Sequence, residues 1–236
     1  MILKKVLYFL NHSLFLQRIS LAGHDGDLQI KLANNIHFLT EPINILSHKG
    51  LQNSYHTSTI TQYVIISKGG AESRIRIRRL WTDDIEEPHK HLFIVPIDDN
   101  DQVMKENEEY GDILSVNIKS EDIYSHHKLI LLSLYWSYES CQECHATVLV
   151  QDDVFINTVS MNTLITRHKL ESNRMLGLLY KYHVPARDTS APHYTSDEEW
   201  PWQMYPPFLD PHVIIFTQDT LPVLLHHSSQ GSSRTL

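Results

Sequence analysis

Thr147-Val148-Leu149-Val150-Gln151-Asp152-Asp153 carries an apolar, β-branched run directly into two adjacent carboxylates. A run of that kind reads as an interior strand, so the acids arrive at its carboxyl end, where open α/β sheets place their ligand crevices. Two hard oxygen donors suit Mg²⁺ or Mn²⁺, and such an ion can bridge the diphosphate of a nucleotide and stabilise it as it leaves. A strand ending in Asp-Asp is also an ordinary solvated turn, so the motif needs its surroundings to decide.

Those surroundings alternate. Residue patterning predicts strands at 63–67, 91–96, 112–117, 146–151 and about 212–217, with helices at 73–82, 102–108, 122–139 and 158–170 between them. Strands alternating with helices predict an α/β domain, with a mainly parallel central sheet and helices on both faces. The 236 residues, 42% of them hydrophobic, are enough for one sizeable core. Residues 1–60 read as a stem-like or irregular lead-in and 61–225 as the folded domain. The polar stretch 226–236, opening with His226-His227-Ser228-Ser229, has the composition of a disordered tail.

Several further segments stand in a fixed order around the acidic pair. Arg74-Ile75-Arg76-Ile77-Arg78-Arg79-Leu80-Trp81 follows the first strand, and Leu92-Phe93-Ile94-Val95 comes next. Then come Glu106, Tyr110-Gly111-Asp112-Ile113-Leu114, a long apolar helix ending before Cys141, Gln151-Asp152-Asp153-Val154-Phe155-Ile156-Asn157, Pro185-Ala186-Arg187 and Tyr205-Pro206-Pro207-Phe208. In this order the segments resemble those of the family-31 glycosyltransferases, the β-1,3-galactosyltransferases and β-1,3-N-acetylglucosaminyltransferases, over about residues 60 to 219.

The resemblance implies a GT-A type nucleotide-sugar-binding fold. It also implies a hexosyltransferase that moves galactose or an N-acetylhexosamine from a UDP-sugar to a hydroxyl of a glycan on a glycoprotein or glycolipid, in β-1,3 linkage. Mn²⁺ would hold the diphosphate, with Asp153 as its direct ligand. Arg74, Arg78, Gln151 and Asp152 would lie on the donor side, where an arginine can fork onto phosphate oxygens. The alternative for Arg74 to Arg79 is a solvated helix face. Trp200, Trp202 and Tyr205 would meet the acceptor, since sugars pack flat C–H faces on aromatic rings while Asp197, Glu198 and Glu199 accept hydroxyl hydrogen bonds. The alternative is a loop whose rings cover the edge of the core.

This sequence departs from the family at definite places. Gln151 stands where the family has a first carboxylate, Leu80 where it has threonine, Pro96 where it has glycine and Leu149 where it has lysine. Leu209-Asp210-Pro211-His212-Val213 replaces a glycine-rich turn. The family's E-D-V-x-x-G segment, which carries the general base of an inverting transfer, has no counterpart after Asp219. Asp210 and Asp219 hold fixed places around the Y-P-P-Y region, which argues against either as a substitute. The expectation for the chain as given is therefore little or no transferase activity and an uncovered last strand of marginal stability. Its alternative role is a catalytically inactive relative acting as a binding or chaperone-like protein. A metal-dependent hydrolase using the same acids is a third class.

Charge narrows the partners. A formal net charge of -8 and a pI near 6.0 exclude a basic nucleic-acid or anionic-membrane surface. The family's Golgi location and signal-anchor would make the chain lumenal and membrane-linked, yet the longest clean apolar run near the start, Val6 to Leu10, is far below the roughly 20 residues of a span. That start lacks the long apolar core of a signal peptide as well. Asn11-His12-Ser13 is the single glycosylation sequon. Cys141 and Cys144 have no second pair with which to bind zinc. Two partly buried thiols are preferred over a local bridge, which the oxidising lumen of the resembled family would permit. The sixteen histidines, among them His89, His91, His126-His127 and His226-His227, read as incidental rather than metal-binding.

Overall fold

A computed structural model describes residues 20–21, 30–31, 38–40, 59–96, 100–118, 125–167, 173–191 and 194–230. In chain order the elements are β1 (Ser20–Leu21), β2 (Ile30–Lys31), β3 (Phe38–Thr40), β4 (Thr61–Ile66), α1 (Ala71–Ile77), β5 (Lys90–Pro96), α2 (Asn100–Tyr110), β6 (Ile113–Val116) and α3 (Ser125–Ser140). There follow β7 (Ala146–Gln151), α4 (Thr158–Arg167), β8 (Met175–Tyr180), β9 (Phe208–Thr217) and α5 (Leu221–Gln230). β1 and β2 pair antiparallel by themselves. The other strands form one sheet in the order β3-β6-β5-β4-β7-β9-β8.

The centre of that sheet is parallel, β6-β5-β4-β7, and the remaining neighbours are antiparallel. The central strands are apolar without alternation because both faces are covered. On one face Val64, Ile66, Leu92, Leu149, Ile214 and Phe216 pack with Leu129, Leu132 and Trp136 of α3 and Leu221, Leu224 and Leu225 of α5. On the other, Tyr63, Ile65, Phe93, Val148, Val150 and Ile215 pack with Ile77, Trp81 and Ile165. Val148 is wholly buried, and Asp152 sits in the turn just past β7. This is the GT-A type α/β arrangement expected from the sequence.

Three expectations are corrected. The strand β8 was not foreseen, because Met175-Leu176-Gly177-Leu178-Leu179-Tyr180 neither alternates nor is rich in β-branched residues. It pairs with β9 at the edge of the sheet, and its last four residues are exposed. Residues 226–230 are helical rather than a disordered tail, since Leu221, Leu224 and Leu225 bury one stripe of α5 and the helix continues to Gln230. That helix on one face and β8 at its edge cover β9, so Ile214, Ile215 and Phe216 are not the bare surface expected. Residues 122–124 of the anticipated third helix, 168–170 of the fourth, and 231–236 lie outside the described residues, as does most of 1–60.

The cysteines are also corrected. Cys141 and Cys144 are joined, because the turn leaving α3 carries a hydrogen bond from Cys144 N to Cys141 O (3.1 Å) and brings the two Cα atoms to 5.3 Å. No helix among the described residues is long and apolar enough to cross a membrane.

Candidate functional site

The carboxyl ends of β4 and β7 lie side by side, with Ile66 opposite Gln151. Beyond Ile66 the chain turns through Ser67-Lys68-Gly69-Gly70 into α1. Asp152 Oδ2 accepts hydrogen bonds from Lys68 N and Gly69 N, both at 2.9 Å, while Asp152 N donates to Ile66 O at 3.2 Å. A Cβ on Gly69 would lie 2.8 Å from Ser73 Cβ and 3.3 Å from Asp152 Oδ2. The turn closes this tightly on the carboxylate only because that residue is glycine. Asp153, next along the chain, is exposed and has no hydrogen-bond or ion-pair partner among the described residues. The two acids the sequence presents as a pair thus differ: Asp152 fastens the β4–α1 turn, and Asp153 stands free.

Gln151 faces the other way. Its Nε2 lies 2.8 Å from His126 Nε2 on α3 and 3.2 Å from Pro211 O on β9, to which it donates. No three His, Cys, Asp or Glu side chains converge as a metal cluster among the described residues. The donor set fits a different mode of binding, in which one or two carboxylates hold a hard divalent ion whose remaining ligands are phosphate oxygens and water. Asp153 is the carboxylate open to that role.

Arg74 and Arg78 are placed differently from the expectation. α1 passes into a π-helical turn, Arg78–Thr82, with Asp83 N reaching Arg78 O at 3.0 Å, and the two arginines turn inward while Arg76 and Arg79 stay exposed. Arg74 forks onto Glu106 (Nε to Oε1 2.9 Å, Nη2 to Oε2 2.6 Å) and gives Nη1 to Gly69 O at 2.7 Å. Arg78 forks onto Asp112 (2.9 and 2.7 Å), reaches Glu106 Oε1 at 2.9 Å, and lies 3.9 Å from the centre of the Tyr110 ring. Both are at most 4% exposed. Neither guanidinium is open to a phosphate, and the solvated-face alternative fails for them as well. Arg74 instead connects the buried network to the turn that Asp152 fastens. Gly111, at φ 68, ends α2 and sends Asp112 into this network, a backbone angle that favours glycine.

Burial alone would push the Asp112 carboxyl up. Hydrogen bonds from Arg78 and His91, and their charge, outweigh it and hold Asp112 below the ordinary carboxylate range. A carboxylate depressed in the folded state contributes stability that is present above its unfolded value, near 3.9, and is lost as pH falls through the folded value. Unfolding midpoints measured from pH 6 down to pH 2 should therefore fall below about pH 4. Asp112→Asn should flatten that fall.

The aromatic loop lies beyond β8. Arg187 gathers it, donating to Thr195 O (2.8 Å), Trp200 O (2.5 Å) and Trp202 O (3.2 Å). Trp200 is 5% exposed and gives Nε1 to Met204 O at 3.2 Å, so its ring fills the loop interior instead of meeting an acceptor. Trp202 is 56% exposed, with its ring 4.5 Å from that of Trp200. Tyr205 is half-buried, its hydroxyl 2.7 Å from Thr195 Oγ1. From Tyr205 the rings continue through Phe208 to Tyr180, at 6.4 and 5.5 Å between centres. Sequence reasoning quoted Glu106 and Asp112 without giving them a role, although two arginines at i, i+4 and two acids in the next helix and turn were the available signal. The turn amides offered none.

These are the parts of a GT-A type α/β domain with its carboxylates at the end of a central parallel strand. The Galactosyltransferase family profile matches residues 72–234, and the chain belongs to that family. It is 23% identical to beta-1,3-galactosyltransferase 5 of Homo sapiens over 90% of this chain and 66% of that protein. It is 24% identical to beta-1,3-galactosyltransferase brn of Drosophila melanogaster over 69% of this chain and 52% of that one. The chain thus spans between half and two thirds of the length of these relatives. Among solved structures, a glycosyltransferase involved in the glycosylation of the major capsid of PBCV-1 superposes with a TM-score of 0.40 at 14% identity, covering 75% of this chain and 69% of that one.

Proposed function

We propose that this domain transfers a hexose, galactose or an N-acetylhexosamine, from a UDP-sugar to a hydroxyl of a glycan carried on protein or lipid. The observation that carries this reading is the division of labour between Asp152 and Asp153 in a galactosyltransferase-family domain. Lys68 N and Gly69 N fix the first acid, and the second, which has no partner among the described residues, stands next to it just past the carboxyl end of β7. Mn²⁺ held by Asp153 would neutralise the diphosphate of the leaving nucleotide. Arg74 and Arg78 act from behind, as positioning residues that hold Gly69 and the start of α1. Trp202 and Tyr205 offer ring faces to the acceptor sugar. β-1,3 linkage and a Golgi-lumenal setting belong to the same reading, and the Cys141–Cys144 bridge suits an oxidising compartment.

One observation favours a second reading, that of a nucleotide-binding relative without turnover. Gln151 brings no charge, and His126 and Pro211 O occupy its amide. Calorimetry with UDP and Mn²⁺ tests both. Wild type is expected to bind UDP only with the ion, and Asp153→Ala to weaken that binding at least tenfold. Absence of binding in wild type sinks the transferase reading, and binding without sugar transfer to a β-linked galactoside selects the second.

A further inference from the structure

Asp152 fastens together two segments, β4 with the turn that follows it (61–70) and β7 with the acidic turn (146–157), and between them they contain one cation, Lys68. Its main chain is held at the site. Lys68 N donates to Asp152 Oδ2 at 2.9 Å, so with an ordinary N–Cα bond the Lys68 Cα lies within about 4.4 Å of that oxygen. Gly69 N reaches the same oxygen at 2.9 Å, and Arg74 Nη1 holds Gly69 O at 2.7 Å. The lysine side chain thus starts from a fixed point beside the acids. It is exposed and has no hydrogen-bond or ion-pair partner among the described residues.

A diphosphate at this end of the sheet brings negative charge up against a pair of carboxylates, more than a single divalent ion neutralises. The charge grows further as the nucleotide departs. The cations that the sequence offered for this task are committed elsewhere, Arg74 to Glu106 and Arg78 to Asp112 and Glu106. β7 supplies none, since Leu149 is wholly buried in the core and Gln151 is neutral and bound to His126 and Pro211 O. Lys68 remains. An ammonium on a flexible four-carbon stem is a mobile point charge that suits phosphate oxygens. Asp153 is the next residue after Asp152, one Cα step of about 3.8 Å, so the stem and the phosphates on an ion held by Asp153 have one residue's breadth to close.

We infer that Lys68 binds the diphosphate of the donor, its ammonium pairing with phosphate oxygens beside the ion on Asp153. This rests on the transferase reading above. Lys68 then has two separable roles. Its N–H fastens Asp152, and any residue other than proline supplies that donor. Its side chain supplies charge alone, so replacing the side chain leaves the turn closed on Asp152 while the diphosphate loses a cation.

Calorimetry of the whole chain with UDP and Mn²⁺, together with urea denaturation of each variant, makes the test. Lys68→Gln is expected to weaken UDP binding about tenfold, toward the low end for a hydrogen bond between charged groups because the side chain is exposed. Its unfolding midpoint should equal that of wild type. Lys68→Arg, which keeps the charge, should bind UDP within about threefold of wild type. Wild-type affinity should also fall more steeply with added salt than that of Lys68→Gln, which lacks one screened ion pair. A loss below about threefold in Lys68→Gln, with wild type binding UDP, overturns the inference and leaves the transferase reading standing. A loss that Lys68→Arg does not recover, or one that comes with a lowered midpoint, overturns it as well, because the turn and not the charge would be responsible. A wild type that binds no UDP fails both.

Discussion

Arg78→Ala is expected to destabilise the domain by about 3–5 kcal/mol, because it leaves Asp112 and Glu106 as buried carboxylates without their shared cation. Asp112 would lose two hydrogen bonds from one fork, and Glu106 would keep only Arg74. The rings of Tyr110 and Phe93, 3.9 and 4.9 Å from the guanidinium carbon, would border the void. A loss of that size is a large part of the total stability of an ordinary domain, about 5–15 kcal/mol. Arg78→Lys keeps the charge but cannot make both bonds to Asp112, so it should fall between the two. Urea denaturation followed by tryptophan fluorescence measures the series. A loss below about 1 kcal/mol for Arg78→Ala would mean that the network is not stabilising as described.

The second expectation separates two neighbours. Asp152→Ala should cost about 2–3 kcal/mol, since two amides lose a charged acceptor and the turn that leads into α1 loosens. Asp153→Ala should cost no measurable stability, because that side chain is exposed and unpartnered among the described residues. Nucleotide binding should weaken in both variants, through the turn in one and through the metal in the other. Denaturation midpoints for the two, compared under identical conditions, decide the matter, and equal losses would erase the distinction between fastening and ligation.

What was readable in the sequence depended on whether a residue's role followed from its own segment. The buried runs Tyr63–Ile66, Leu92–Val95 and Val148–Val150 announce interior strands, and the alternation with helices announces the parallel centre. β8 stayed hidden because its identity comes from pairing with β9, a tertiary effect that Leu178, Leu179 and Gly177 do not advertise. The same holds for the arginines. Their spacing gave one helical face, but whether that face met water, phosphate or Glu106 depended on where α2 and Asp112 came to rest. Trp200 and Trp202 stand two residues apart with nothing local to tell the interior ring from the exposed one, and the ring that turns inward is the one whose Nε1 finds Met204 O.

The parallel pairing of β4 with β7 also bears on how the protein is made. Thr61 pairs with Ala146 and Ile66 with Gln151, so one edge of β4 waits for a strand that a ribosome adding about 5–20 residues per second delivers some 4 to 17 s later. Through that interval Tyr63–Ile66 presents an open apolar edge, the kind of template on which nascent chains pair wrongly. Until β7 arrives, Asp152 has not been placed and the Lys68 and Gly69 amides have no carboxylate to close on. The acidic turn and the sheet are completed in one late event, so yield in the cell should respond to chaperone supply and translation speed more than to changes at Asp152 or Asp153.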